Sequence, residues 1–209
     1  MRFFLIVILV FFVSLTNAQQ FFNKNIFGFA TSNTFTFFNV DDTVFQEKIG
    51  QISPRVLRFP GGAVGNFYHF NEPAYGLKLN EIDSLISGKF PKRARGLINF
   101  ARKKGHRDNY IYDFMKLAKS TGASAVLVAN VLTEDIDDII NMINTIQEND
   151  IDIIGVELGS ELSNKSYYDN GYTIESYMAR AEYISQQIKS DFPKLKIAVV
   201  AAPIIKDKK

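Results

Sequence analysis

The sequence predicts an α/β fold built on parallel strands, and three observations carry that reading. Short apolar runs at 26–31, 55–59, 124–131, 151–156 and 196–202 have the length and β-branched content of buried strands. Between them lie segments whose apolar residues recur every three or four positions, as on one face of a helix. The two kinds alternate along the chain, and a strand–helix–strand order gives parallel neighbours joined by right-handed crossovers. An open doubly wound sheet and the first part of a (β/α)8 barrel both satisfy this alternation.

The elements follow in order. Residues 26–31 make a first strand, with Gly28 allowing a neighbouring backbone to come close. Asp41 and Asp42 signal the start of a helix over 43–52, with Val44, Phe45, Ile49 and Ile52 as its apolar face. Arg55 to Phe59 is a second strand, stopped by Pro60-Gly61-Gly62. Residues 60–107 form a long excursion without a regular pattern, apart from a helical stretch near 79–86. Asp108 or Asn109 caps a helix to Ser120, and Gly122 closes it. A third strand over 124–131 ends at Asn130. From Thr133 a helix begins with Glu134, Asp135 and Asp137 in its first turn, where the dipole favours acids. The fourth strand follows, then a helix capped by Thr173 and ended before Pro193, then the fifth strand.

Composition bounds the function. The 209 residues are 46% hydrophobic and 22% charged, ordinary for a globular protein, and the net charge of +2 gives no global field toward nucleic acid. Without cysteine there is neither a disulfide framework nor a thiolate metal site. The two histidines, His69 and His106, stand in no ligand-like spacing, so no metal and no cofactor is expected. Residues 1–18 have the parts of a secretory signal peptide: Arg2, an apolar core over 3–13, and Thr16-Asn17-Ala18 before Gln19. The expected product is exported, secreted or periplasmic, with no stable membrane association once the signal is removed. The remaining domain, 19–209, is shorter than the ~250 residues of a complete eight-unit barrel. The excursion is basic at Lys78, Lys89, Lys92, Arg93, Arg95, Arg102, Lys103, Lys104 and Arg107. A solvated loop explains that charge, and a rim loop attracting an anionic polysaccharide is the sharper alternative. No nucleic-acid-binding motif accompanies it.

Two motifs sit at strand ends. Leu57-Arg58-Phe59-Pro60-Gly61-Gly62 closes the second strand, and Glu157-Leu158-Gly159-Ser160-Glu161 closes the fourth. Together they resemble signatures of retaining glycosidase barrels, notably the α-L-arabinofuranosidase and heparanase-like endoglucuronidase families. The resemblance extends over most of 26–202 and takes in the helix from Asp108 and the strand end at Asn130. It implies a partial (β/α)8 barrel of about five βα units acting on carbohydrate, with Glu161 as general acid/base and Arg58, Asn130 and Ser160 as substrate-binding positions. Glycoside cleavage of this kind needs an acid to protonate the leaving oxygen and a second carboxylate as nucleophile. Glu157 reads better as a carboxylate inside the barrel, paired with Arg58 or another cation, than as a catalyst.

The chain departs from the family pattern in three places. Ser160 stands where these families carry Asn, a donor to the sugar 2-hydroxyl. Ala63 stands where arabinofuranosidases often have Asn, and Asn66 is the nearest amide. The family nucleophile is a Glu on the seventh strand, beyond the five strands read here, so it is expected outside this chain. The reading is therefore the acid/base-bearing part of an exported glycoside hydrolase. The alternative is a non-catalytic carbohydrate-binding relative or an inactive truncated fragment. Gly61-Gly62-Ala63-Val64-Gly65 lacks the Lys-Ser/Thr of a phosphate-binding loop, and no Gly-x-Ser-x-Gly turn supports a serine nucleophile.

Overall fold

A computed structural model describes residues 23–31, 33–78, 80–82, 96, 99, 108–163, 167 and 171–201. The signal segment 1–18, most of the basic excursion over 83–107 and the tail after 201 lie outside the described residues.

Five parallel strands form one sheet: β1 (Gly28–Ala30), β2 (Val56–Phe59), β3 (Ser124–Ala129), β4 (Ile153–Leu158) and β5 (Lys196–Val199). Among them run α1 (Thr34–Phe37), α2 (Thr43–Ile52), α3 (Ile111–Thr121), α4 (Ile136–Glu148) and α5 (Ile174–Asp191). The strand order is β1-β2-β3-β4-β5, every neighbour parallel. That order separates the two architectures left open by the alternation. A doubly wound sheet reverses direction at a switch point. Here the winding never reverses, so right-handed crossovers lay successive helices on one face, as they do around a barrel.

Burial divides the two faces of the sheet. Leu57, Phe59, Ala125, Leu127, Ala129, Val156 and Leu158 are buried in the core with Phe114, Leu117, Ile139, Ile143 and Ile184 of the helices. A register shift near Val126 keeps Ile153 on that side with Val156 and Leu158, despite the odd spacing. The opposite face carries Ala30, Val56, Arg58, Val126 and Glu157, which with the start of β1 line an open concavity of about 270 Å3.

Local chemistry fixes the boundaries. Asp42 accepts from the backbone N–H of Val44 and Phe45 and opens α2 at Thr43. Asn109 Oδ1 accepts from Ile111 N–H, and Gly122 at φ +65° ends α3. Thr173 caps α5 through Ser176. At Gly28 a Cβ would stand 1.9 Å from the Val56 carbonyl oxygen, so the close approach of β1 and β2 requires glycine.

Two expectations are corrected. The apolar face assigned to α2 is only partly covered: Ile49 is buried and Phe45 packs half-buried against the core, while Val44 and Ile52 are exposed. Glu134 is not a solvated first-turn acid. It precedes α4, and its side chain is only 1% exposed. The described first part of the excursion, 60–78, also packs more closely than its sequence suggests, since Phe67, Tyr68, His69 and Tyr75 are all buried.

Candidate active site at the mouth of β2 and β4

Parallel strands wound in one direction deliver their C-terminal ends to a common rim. β2 and β4 flank β3, so two strand spacings of about 4.8 Å separate them. Arg58 and Glu157 occupy the same face of those strands, and the long arginine side chain bridges the gap. Its Nε donates to Glu157 Oε1 and Oε2 at 2.9 and 3.0 Å, and its Nη2 donates to Oε2 at 2.6 Å. This is the charge-assisted fork that a guanidinium makes with a carboxylate. Both side chains stay about a quarter exposed, at 23% and 30%. The pair thus faces the open concavity and is not sealed inside.

The turn after β4 is held from the other side. Gly159 lies at φ +80°, a left-handed conformation that favours glycine, and a Cβ there would also press on Leu162 Cδ1 at 2.5 Å. Ser160 is buried; its N–H donates to Asn66 Oδ1 at 2.7 Å and its carbonyl accepts from Asn66 Nδ2 at 2.5 Å. Its hydroxyl accepts from Arg58 Nη2 at 3.2 Å. Asn66 Nδ2 also donates to the Tyr167 hydroxyl at 2.8 Å, and the Tyr167 ring stacks on Phe67. Asn66 comes from a 3-10 turn over Gly62–Phe67 that folds across the end of the sheet, its Gly65 pressed against Val128.

Glu161 follows at φ +54°, a left-handed conformation that costs a non-glycine residue about 1–2 kcal/mol. Its carboxylate is exposed at the strand mouth. Burial pushes the Tyr167 hydroxyl up to about 12, and the negative charge of Glu161 adds to that shift. The acid predicted from the sequence therefore sits beside a buried phenol, at the end of a clamped turn.

The structure brings Arg58 and Ser160 together, with Glu161 next in the chain. Asn130 lies at the mouth of β3 but is spent locally. Its Oδ1 accepts from Leu132 and Thr133 N–H, and its Nδ2 donates to Thr133 Oγ1 and the Tyr68 carbonyl. It shapes the loop after β3, and among the described residues no hydrogen bond joins it to Arg58 or Ser160. Asn66 was legible only as the nearest amide after Gly61-Gly62. Nothing in the local sequence marks Tyr167, which is recruited by contacts across the rim.

No family model matches the chain, and no curated protein matches it. A solved structure of an α-L-arabinofuranosidase from Thermotoga maritima, in complex with arabinose, is similar over 75% of this chain and 33% of its own, with 14% identity and a TM-score of 0.49. The chain thus spans about a third of that glycosidase. At this distance the likeness carries no chemistry, and the α/β class rests on the strand order itself.

A further set of polar groups lies on the same rim, between the loops after β2 and β3. Desolvation lifts the Glu134 carboxyl to about 8, and the neighbouring Asp138 charge pushes the same way. The Phe70 N–H and the Lys78 ammonium oppose the shift. Among the described residues no helix is long and apolar enough to cross a membrane.

Proposed function

We propose that this chain is the acid/base-bearing part of an exported glycoside hydrolase acting by a retaining, two-carboxylate mechanism on an oligosaccharide or polysaccharide. The observation that carries the reading is the placement of Glu161, exposed at the C-terminal mouth of β4 on a turn clamped by Asn66. In this reading Glu161 protonates the leaving oxygen and later activates water. Arg58 holds Glu157 as its counter-ion, which leaves Glu157 a charge-balancing group and not the nucleophile. In this reading the nucleophile is a second carboxylate distinct from Glu157. The sugar ring rests over the open face beside Arg58 and Ser160.

One observation favours a second reading, a carbohydrate-binding relative without turnover. The position that would present a donor to the sugar 2-hydroxyl is Ser160, whose hydroxyl already accepts from Arg58. The same experiment separates the two. In the protein encoded by the complete reading frame, Glu161→Gln should lower kcat on a glycoside with a poor leaving group about a hundredfold or more. On an activated aryl glycoside it should spare the first step, and added azide should restore turnover. Equal turnover by the variant and the parent on the poor leaving group would remove Glu161 from the mechanism. Sugar binding by a parent that turns over neither substrate would establish the second reading.

A further inference from the structure

His69, Glu134 and Asp138 each bring a ligand-capable atom to within 4.8 Å of the others. His69 belongs to the loop after β2, Glu134 to the loop after β3, and Asp138 to the first turn of α4. A cluster of this kind often has no role beyond solvation. Here a second observation sets it apart. Glu134 is 1% exposed, one of its oxygens accepts from Phe70 N–H at 2.9 Å, and the other, Oε2, is buried without a hydrogen-bond partner. A desolvated carboxyl oxygen left unpaired is a costly polar orphan.

The neighbouring charges relieve it only in part, through the Lys78 ammonium. Glu72, Glu81 and Asp138 add carboxylates to the same rim. The Lys78 ammonium lies 3.9 Å from both Glu72 and Glu81. Arg180 donates to the Glu134 backbone carbonyl, not to its side chain. His69, itself 2% exposed, meets Glu81 Oε2 through Nε2 at 2.5 Å and Thr133 Oγ1 at 3.3 Å. A carboxylate on one imidazole nitrogen orients the ring, as carboxylates do beside metal-bound histidines. Asn71 donates to Asp138 Oδ1, which steadies the third group.

We propose that His69, Glu134 and Asp138 bind a divalent transition-metal cation, of the zinc or manganese kind, that staples the loop after β2 to the start of α4. One imidazole with two carboxylates is a mixed nitrogen–oxygen set that suits such ions, whereas calcium and magnesium favour oxygen alone. The site is independent of Glu161 and goes beyond the glycosidase reading. The histidine spacing that argued against a metal conceals it, because the other two ligands are carboxylates delivered by the next βα unit.

The test strips the full chain with a chelator and titrates it with Zn2+, Mn2+ and Mg2+ separately, following heat and Tm. Zn2+ or Mn2+ should bind at one equivalent and raise Tm, and Mg2+ at the same concentration should not. Glu134→Gln and Asp138→Asn preserve side-chain shape, and each should weaken binding about tenfold or more. Bound Co2+ should give a visible absorption band that His69→Gln abolishes and His106→Gln leaves intact. Absence of stoichiometric binding up to millimolar metal would overturn the proposal. Binding that survives both carboxylate substitutions, or that is lost with His106, would overturn it as well.

Discussion

An asparagine side chain offers an accepting oxygen and a donating NH2, and Asn66 spends both on the backbone of a residue far along the chain. It pairs with the N–H and the carbonyl of Ser160, as a neighbouring strand would, and adds a bond to Tyr167. All of these groups are buried or nearly so. Asn66→Ala removes the partner and leaves two backbone groups and a phenol unsatisfied, at about 1–3 kcal/mol for each group that water cannot reach. Partial hydration at the rim should reduce the total to about 3 kcal/mol, read from the urea midpoint at constant m. A loss below 1 kcal/mol would mean that the turn before Glu161 holds its shape without the clamp. Arg58 was foreseeable as one possible partner of Glu157, and the strand register that puts the two on one face decides it. The partners of Asn66 and Glu134 were not, since they are chosen by loop packing that no periodicity encodes. Glu134 misled most: an acid ahead of a helix ordinarily serves the dipole in water, and this one is buried.

Elements whose ends are set by local chemistry were read correctly. Asp42 begins α2 at Thr43 with its side-chain oxygen on two backbone donors, 2.8 Å from Val44 N and 3.0 Å from Phe45 N. Those donors would otherwise have only water, and Asp42→Ala should lower stability by about 1 kcal/mol, within the usual 0.5–2 for a lost cap. Asp42→Asn, which keeps the accepting oxygen, should recover most of it in thermal melts. Equal losses in the two variants would point to charge and not to the cap. The helix itself was recognised from its end signals, while its inward face was misjudged. Apolar spacing shows which residues share a side, but only packing decides whether that side is covered. Val44 and Ile52 remain in solvent, with Ile49 buried and Phe45 half-buried. The excursion after β2 failed the opposite way. Its aromatic residues Phe67, Tyr68 and Tyr75 fill the core from irregular backbone, where no repeat announces a buried face.

At the scale of the molecule, a singly wound sheet has a covered face, an open face and two edges. Alternation of strands and helices predicted the parallel sheet, and strand order, which no local pattern carries, decided the winding. The consequence is a gradient of protection across the sheet. β3 has a strand on each side, and most of its side chains are fully buried. β1 has three residues and β5 four, each with one strand neighbour among the described residues, and Val199 is 65% exposed. Opening an edge strand exposes little apolar surface, whereas opening β3 unpacks the core, so the two should exchange their amide hydrogens at different free energies. Native-state hydrogen exchange should find the amides of 125–129 slowest, at or near the global unfolding limit. Those of 28–30 and 197–199 should exchange at least about a hundredfold faster, a difference of about 2.7 kcal/mol. Protection of β5 equal to that of β3 would show its edge paired in solution, by a further strand or a second copy of the chain. In the second case the open edge would be an assembly surface.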